Sequence, residues 1–317
     1  MHRWIHRFAA LFCTLLLAAA AHAAAPMART QAPGFYRTML GEFEVTALFD
    51  GIFELHPTQL LKGMPAAQIQ KMLAQRHETE PVPTSVNAFL VNTGAKLVLI
   101  DAGCGALGGP GLGALVANLK ASGYQPEQVD EIYITHMHFD HLGGLARDGS
   151  AVFPNAIVRA DRRDAEFWLD TARRDKAPEG MKSFFDGAIS SLKPYQAADR
   201  FKPFDGSTDL VPGVRALAAH GHTPGHTVYA IESKGAKLVL WGDLMHVAAV
   251  QFPQPQVAIQ FDTDSKAATA ERRKAFADAA KQGYMVGAAH LPFPGLGHLR
   301  AAGSGYVFTP LDYQAVK

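Results

Sequence analysis

The chain has 317 residues, of which 48% are hydrophobic and 19% charged, and its formal net charge is +1. This balance excludes a disordered chain, a collagen-like repeat and a multispan membrane protein. The length allows one large domain or two ordinary ones. Because no repeat, low-complexity tract or linker divides the sequence, we expect one domain over residues 34–317.

The N-terminus has the pattern of a secretory signal peptide. Two arginines precede an almost unbroken apolar run at 8–21, and Ala21-His22-Ala23 has the small-x-small pattern that signal peptidase recognises. The run is shorter than the roughly 20 residues that a membrane-spanning helix needs. We therefore expect a signal peptide over 1–23 and a flexible leader over 24–33. The expected product is periplasmic or secreted and has no membrane association after cleavage, with a membrane anchor as the alternative.

Loss of the signal peptide changes the charge and the cysteine content. It leaves 28 basic and 29 acidic side chains, a net charge of −1. Such a chain lacks the basic surplus of nucleic-acid binding proteins, so we expect a small-molecule substrate and no nucleic-acid partner. Cys104 becomes the only cysteine and can form no internal disulfide. The fold must therefore depend on its hydrophobic core or on metal.

Strands and helices are predicted to alternate along the chain. Alternating apolar residues predict strands at 36–40, 44–49, 88–91 and 96–100, the last two joined by an Asn92-Thr-Gly turn. Further strands are predicted at 131–135, 213–219, 237–241 and 284–289, and helices at 112–122, 162–174, 180–192 and 266–282. Residues 206–212 are expected to be only a loop. The mixture predicts a layered α/β fold with helices outside.

A histidine-rich segment follows the predicted strand at 131–135. It reads His136-Met-His138-Phe-Asp140-His141. Residues two apart at a strand end point to the same side, so His136 and His138 can hold one ion while Asp140 and His141 turn toward a second. A lone histidine is more often a hydrogen-bonded structural residue, but this concentration of ligands favours a metal site.

Three later strands end at further candidate ligands, His222, Asp243 and His290. The complete set contains histidines and carboxylates but no thiolate. It suits two divalent ions, most of all Zn²⁺, with Mn²⁺, Co²⁺ or Fe²⁺ as alternatives. In the expected partition His222 joins His136 and His138, His290 joins Asp140 and His141, and Asp243 bridges two ions about 3.5–4 Å apart. Each ion then keeps an open position, as catalytic sites do.

These motifs resemble the dinuclear branch of the metallo-β-lactamase fold superfamily. The resemblance rests on the segment 136–141, on Gly221-His222-Thr-Pro-Gly-His226, on Gly242-Asp243 and on His290. Residues 127–138, 273–281 and 293–298 are in addition similar to methyl parathion hydrolases and their lactone- and aryl-ester-cleaving relatives. The resemblance covers nearly all of residues 34–317. It implies an αββα sandwich and the same seven metal ligands.

Residues around the metals also receive expected roles. Asp140 is placed to accept a hydrogen bond from the nucleophilic water, and Asp243 to bridge the ions. His226 is expected to orient its loop or a ligand. By resemblance, the substrate pocket is expected to contain Trp168, Phe184, His246, Ile259 and Phe261. Core packing is the alternative for any one of these aromatic side chains.

We therefore expect a dinuclear metal-dependent hydrolase of aryl esters or lactones such as dihydrocoumarin, with at most weak organophosphate triesterase activity. A phenolate leaving group needs no protonation, and no motif identifies a general acid, which favours such substrates. The alternatives are an acyl-homoserine lactonase, a methyl parathion hydrolase proper and, without catalysis, an exported metal-binding scaffold. The resemblance also suggests a homodimer, but no assembly signal supports one.

Overall fold

The computed structural model describes residues 25–316, so the predicted signal peptide lies outside the described residues. Residues 25–33, which belong to the predicted leader, form no helix or strand. The residues of Pro33–Lys317 cluster into one unit that contains two large sheets. No helix in the described part of the chain has both the length and the apolarity that crossing a membrane requires.

The first large sheet, sheet 1, has six strands in the order β1-β2-β4-β5-β6-β9. Its pairs are antiparallel from β1 to β5 and parallel from β5 to β9. The strands are β1 (Phe35–Leu40), β2 (Phe43–Leu55), β4 (Val82–Asn92), β5 (Leu97–Ile100), β6 (Glu131–Tyr133) and β9 (Ile157–Arg159).

The second, sheet 2, has seven strands in the order β10-β11-β12-β13-β15-β16-β17, and only β13 and β15 pair in parallel. They are β10 (Thr208–Val211), β11 (Val214–Ala218), β12 (Thr227–Ser233), β13 (Ala236–Leu240), β15 (Met285–Gly287), β16 (Leu296–Ala302) and β17 (Gly305–Pro310). Two small sheets pair β3 (Leu61–Lys62) with β14 (Ala258–Ile259) and β7 (Ala146–Arg147) with β8 (Ser150–Ala151).

Nine helices are assigned within residues 25–316, apart from three short 3₁₀ turns. They are α1 (Pro57–Leu60), α2 (Ala66–Ala74), α3 (Leu115–Ala121), α4 (Phe139–Leu142), α5 (Arg162–Trp168), α6 (Thr171–Lys176), α7 (Glu179–Ala197), α8 (Ala248–Gln251) and α9 (Ser265–Gln282).

Three buried apolar clusters establish the order of the layers. One lies between the two sheets and joins side chains such as Val98 of sheet 1 to side chains such as Leu238 of sheet 2. A second joins the other face of sheet 1 to α3, α5 and α7. A third joins the other face of sheet 2 to α9 through Phe276. The predicted αββα sandwich is thereby confirmed.

Two expectations about local structure are wrong. The helix predicted at 162–174 is divided, because Asp170 accepts hydrogen bonds from the main-chain N–H groups of Ala172 and Arg173 and so begins a new helix. The expected loop at 206–212 contains the edge strand β10, which pairs with β11 through an irregular register. An edge strand pairs on one side only and tolerates polar residues. Polar residues interrupt the apolar alternation that predicts a strand, so the sequence suggested a loop here.

Asp50 anchors the loop that leads from β5 to α3. Its side chain is fully buried in β2, and its carboxylate accepts main-chain N–H groups of Cys104 at 2.9 Å, Gly113 at 3.1 Å and Leu115 at 3.0 Å. Burial raises the pKa of this carboxyl, and the three N–H groups oppose that shift. The loop therefore depends on one side chain for three hydrogen bonds.

The substitution Asp50→Ala is expected to lower the free energy of unfolding by about 2–4 kcal/mol, because it leaves buried donors without a partner. Urea denaturation followed by circular dichroism measures this change. Asp205→Ala is the control, since Asp205 pairs with Arg162 on the surface, and should change stability by less than about 0.5 kcal/mol. An Asp50→Ala protein as stable as the wild type would contradict the role of Asp50.

Candidate metal centre

The seven residues predicted to bind metal come together at one edge of the two sheets. The segment after β6 of sheet 1 supplies four of them, and loops that follow β11, β13 and β15 of sheet 2 supply three. Six are buried and Asp140 is partly buried. The seven are His136, His138, Asp140, His141, His222, Asp243 and His290.

Their ligand atoms form two groups, in each of which all atoms lie within 4.8 Å of one another. The first group is His136, His138, His222 and Asp243, and the second group is Asp140, His141, Asp243 and His290. Asp243 belongs to both. Its Oδ2 lies 3.4 Å from His222 Nε2, and its Oδ1 lies 3.2 Å from His290 Nε2. The groups contain the same residues as the two sets expected from the sequence, whose role as metal ligands stays a prediction.

The chemistry of the donor atoms fits a metal ion in each group. Among the residues that the structure describes, His136 Nε2, His141 Nε2 and Asp243 Oδ1 are buried without a hydrogen-bond partner. In the first group, His138 Nδ1 and His222 Nε2 face each other at 3.2 Å. Neighbouring ligands of a tetrahedral zinc ion are about 3.3 Å apart, because zinc–nitrogen bonds are about 2.0–2.1 Å long. A cation bound by each group would give the unpaired nitrogen and oxygen atoms a partner and so remove the free-energy cost of burying them.

Buried carboxylates orient two of the histidines. His141 Nδ1 donates to Asp101 Oδ2 at 2.8 Å, and His222 Nδ1 donates to Asp262 Oδ1 at 3.0 Å. When one ring nitrogen carries the proton, the other keeps its lone pair. Each carboxylate therefore leaves the Nε2 lone pair of its histidine directed at the centre, which is the usual support for a metal-bound imidazole.

A main-chain carbonyl orients the ring of His290 in the same way, because His290 Nδ1 donates to the carbonyl of Ser85 at 3.0 Å.

His226 is not a member of either ligand group and has an orienting role, as expected. Its Nδ1 donates to the carbonyl of Ala219, and its Nε2 accepts the main-chain N–H of Asp243 at 3.0 Å. Burial lowers the pKa of His226 to about 3, so the ring is neutral and can accept this hydrogen bond. His226 thus orients the main chain at Asp243.

The two carboxylates of the centre are ionised. Burial alone would raise the pKa of Asp140, but His141 and His290 beside it hold that pKa well below its usual value. The pKa of Asp243 is likewise held far below its usual value, against the effect of burial, by the surrounding histidines. The same contacts raise the pKa of His141 and His290, so a divalent cation that binds here displaces protons from these rings and takes their place beside the carboxylates.

A cavity of ≈ 220 Å³ opens onto both groups. Aromatic rings form a continuous wall beside the first group, since the ring of Phe184 lies 5.0 Å from that of His138 and 5.6 Å from that of Phe139. The lining side chains are His138, Asp140, Asp243, His246, His290, Phe53, Leu55, Thr84, Phe139, Phe184 and Phe261.

Three of the five expected pocket residues line this cavity, namely Phe184, His246 and Phe261. The other two do not. Trp168 is buried, with its ring 5.2 Å from that of His138 and 4.8 Å from that of Phe185, so it packs against a candidate ligand from the core side. Ile259 pairs with Leu61 in a small sheet and belongs to a buried apolar cluster. Both support the wall of the site and do not reach its surface.

Sequence reasoning missed several residues of the site. Phe53 and Leu55 of β2 and Thr84 of β4 line the cavity. The local sequence does not predict this, because which strand residues border a cavity depends on how distant elements pack against the strand. Asp101 is different. It directly follows β5, as the candidate ligands follow their strands, so its position at a strand end was a usable signal.

Single substitutions should separate the two groups. After zinc loading and desalting, His290→Ala is expected to retain one ion per chain, and Asp243→Ala to lose both, because only Asp243 belongs to both groups. Inductively coupled plasma mass spectrometry measures the zinc content. His298→Ala, which alters an exposed histidine outside the groups, should keep the wild-type content. Two tightly held ions in Asp243→Ala would contradict the bridging role.

A family model and several curated proteins match this chain. The family model described as Metallo-beta-lactamase superfamily matches residues 81–278. The N-acyl homoserine lactonase of Bacillus cereus is 32% identical over 126 residues, which are 40% of this chain and 42% of that protein. The chain thus spans about four-tenths of the length of the curated relatives it matches.

Two solved structures are similar over most of the chain. The crystal structure of hydrolase AbOPH in the beta lactamase superfamily has 41% sequence identity and a TM-score of 0.86, covering 90% of this chain and 100% of that one. AidC, a dizinc quorum-quenching lactonase in complex with a homoserine product, has 29% identity and a TM-score of 0.83, covering 89% and 99%. The specific resemblance to methyl parathion hydrolases stays a prediction. The fold, the paired ligand groups and these matches together establish that the chain belongs to the metallo-beta-lactamase superfamily.

Proposed function

We propose that the protein is a dinuclear metal-dependent hydrolase of lactones and aryl esters. The observation that carries this proposal is the aromatic cavity that ends on both ligand groups. Phe139, Phe184 and Phe261 line it, while Asp140 and Asp243 reach its floor from the candidate centre. A bicyclic aromatic lactone is flat and is apolar except at its ester. Its ring can stack within the cavity while the carbonyl faces the two groups.

The residues of the site have distinct parts in the hydrolysis. Two divalent cations, when bound, lower the pKa of a coordinated water and polarise the carbonyl oxygen of the substrate. Asp140 faces the cavity and stays ionised, so its carboxylate can accept a hydrogen bond from the attacking water and orient it. Asp101 and Asp262 hold the rings of His141 and His222 in place. The aromatic wall excludes bulk water and so strengthens these electrostatic interactions.

The leaving group favours aryl substrates. A phenolate departs without protonation, so the site needs no general acid for it. His246 supplies one further polar group, because it lines the cavity with Nε2 3.0 Å from Asp243 Oδ2. Nδ1 of His246 is buried without a hydrogen-bond partner among the described residues. The ring can therefore donate a hydrogen bond to a polar atom of the substrate.

N-acyl homoserine lactones form the second candidate substrate class. The similarity to the Bacillus cereus lactonase and to AidC favours it. The reacting group is again a lactone carbonyl, and Phe53 and Leu55 offer an apolar surface for an acyl chain. The leaving group is an alkoxide, which needs a proton, and this difference separates the two classes chemically.

Phosphotriesters should be poor substrates. Their tetrahedral phosphorus carries three ester groups and is bulkier around the reacting atom than a flat ester. His246 and Phe261 line the cavity beside Asp243, and their neighbouring rings, with centroids 5.8 Å apart, occupy space next to the reacting centre. Organophosphate cleavage is therefore expected to be weak.

Export is a separate proposal that rests on the sequence. The apolar run at 8–21 and the Ala21-His22-Ala23 pattern support secretion or transport to the periplasm. N-terminal sequencing of the mature protein should find a start after Ala23 or Ala25. A mature protein that begins at Met1 would contradict this proposal.

A rate comparison tests the substrate class. Zinc- or manganese-loaded protein is assayed side by side with dihydrocoumarin, a nitrophenyl ester, an acyl-homoserine lactone and methyl parathion. We expect kcat/KM for the aryl lactone or ester to exceed that for methyl parathion by at least about 100-fold, or about 2.8 kcal/mol of transition-state stabilisation. A leading acyl-homoserine lactone would favour the second candidate. No turnover of any substrate would favour a metal-binding scaffold.

The substitution Phe184→Ala tests the aromatic wall. Losing the ring contact is expected to raise KM for dihydrocoumarin by about 10- to 100-fold with a smaller effect on kcat, as about 1.5–3 kcal/mol of apolar contact is removed. Steady-state kinetics measures both constants. Phe308→Ala is the matched control, because Phe308 stacks on Phe252 away from the cavity. An unchanged KM in Phe184→Ala would contradict the proposed binding surface.

A further inference from the structure

We propose that Asp164 and Asn87 are positioning residues, each of which fixes one of the two ligand groups across the boundary between the sheets. Asp164 serves the first group and Asn87 serves the second. The inference rests on the proposed metal centre and assigns to two residues outside it the task of holding its geometry.

The need for such residues follows from the origin of the ligands. Sheet 1 supplies His136 and His138 to the first group and sheet 2 supplies His222, and the second group is divided between the sheets in the same way. The sheets meet through an apolar cluster. Apolar contact is non-directional, whereas a working metal site needs its ligands within about 0.5 Å of the productive geometry. Directional hydrogen bonds between the two ligand-bearing loops can supply that accuracy.

Asp164 makes these bonds for the first group. It lies fully buried in α5, and its Oδ2 accepts the main-chain N–H of Met137 at 2.9 Å and the hydroxyl of Thr223 at 2.9 Å. Met137 stands between His136 and His138, and Thr223 directly follows His222. One carboxylate oxygen thus joins the ligand segment of sheet 1 to the ligand loop of sheet 2.

The second oxygen of Asp164 and the packing around it strengthen this contact. Oδ1 accepts the main-chain N–H of Gly225, three residues beyond His222. Gly225 lies so close to α5 that a Cβ at this position would come within 2.6 Å of the main-chain nitrogen of Asp164. The loop and the helix therefore meet with no room for a side chain between them.

The choice of a carboxylate at position 164 is informative. Burial raises the pKa of Asp164 to about 6, so keeping the side chain ionised at neutral pH works against stability. An asparagine of the same shape has only one acceptor oxygen and cannot serve three donors on both sides of the group. The feature gained with the carboxylate is the simultaneous connection to Met137, Thr223 and Gly225.

Asn87 has the corresponding place beside the second group. It is buried in β4 of sheet 1, and its Nδ2 donates to the carbonyls of Leu291 at 2.7 Å and Ala288 at 3.3 Å. These carbonyls lie on either side of His290 in the loop of sheet 2. The amide thus joins sheet 1 to the ligand loop that only the second group uses.

Other bonds keep the sheets together when either residue is changed. The main-chain N–H of Thr227 donates to the carbonyl of Thr135, and the hydroxyl of Tyr229 donates to the carbonyl of Ile134, both at 2.8 Å. Neither bond involves Asp164 or Asn87. The sandwich is therefore expected to assemble in both variants, with the effect confined to the ligand loops.

The test measures each group separately. His290→Ala leaves the first group complete, and His222→Ala leaves the second group complete. Asp164→Asn and Asn87→Ala are each added to both backgrounds, and zinc Kd is measured by competition with a chromophoric chelator. Asp164→Asn should weaken zinc binding about 10- to 100-fold in the His290→Ala background and less than about threefold in the His222→Ala background. Asn87→Ala should show the reverse pattern.

The outcomes distinguish this inference from the proposed function. Equal weakening in both backgrounds, or none, would overturn the positioning roles and leave the metal centre standing. A wild-type protein that binds no zinc would overturn the metal centre and this inference together. Asp50→Asn is the stability control, because Asp50 is also a buried carboxylate that accepts three hydrogen bonds. It should lower the free energy of unfolding and should not weaken zinc binding more at one ligand group than at the other.

Two further variants that leave the carboxylate of Asp164 in place keep the test decisive if Asp164→Asn does not fold. Thr223→Val removes only the hydroxyl that donates to Asp164, and Gly225→Ala keeps the carboxylate but forces α5 away from the loop. Both should weaken zinc binding several-fold in the His290→Ala background alone. Unchanged binding in both variants would overturn the role of Asp164.

Discussion

The packing of five imidazoles and the carboxylate of Asp140 around the shared side chain of Asp243, in a largely buried cluster, is the constraint on which the rest of the site depends. Buried polar atoms need hydrogen-bond partners, and several of these atoms have none among the described residues. Cations between the atoms would satisfy them, and the separations near 3.2–3.6 Å around Asp243 suit this arrangement. The chemistry of the site and its stability therefore have one origin.

The sandwich meets this constraint by placing strand ends of both sheets at one edge. The ligands follow short buried strands, which fix the main chain on one side, and for three of the histidines a second partner fixes the ring on the other. Asp101, Asp262 and the carbonyl of Ser85 orient histidines, and His226 orients the main chain at Asp243. A rigid centre of this kind leaves substrate choice to the cavity wall, which is built from separate elements.

Much of the site was predictable because ligands and strands lie side by side in the sequence. A buried strand that ends at His136, His222 or His290 is a local pattern, and it indicates a shared sheet edge without knowledge of the packing. The mixture of strands and helices predicted a layered α/β fold with helices outside, whereas the αββα order was implied by the resemblance to the metallo-β-lactamase fold superfamily. The cavity was harder to predict, since Trp168 and Ile259 lie in the core while Phe53 reaches the cavity. Such positions depend on how distant elements pack, and no local pattern encodes that.

The most direct test of the account is an anomalous-scattering experiment at the zinc absorption edge on crystals of the zinc-loaded protein. The account predicts two strong peaks about 3.5–4 Å apart on either side of the Asp243 carboxylate, as in other two-metal sites. One peak should lie among the atoms of the first group and the other among those of the second. A single peak, or peaks away from Asp243, would contradict the dinuclear centre.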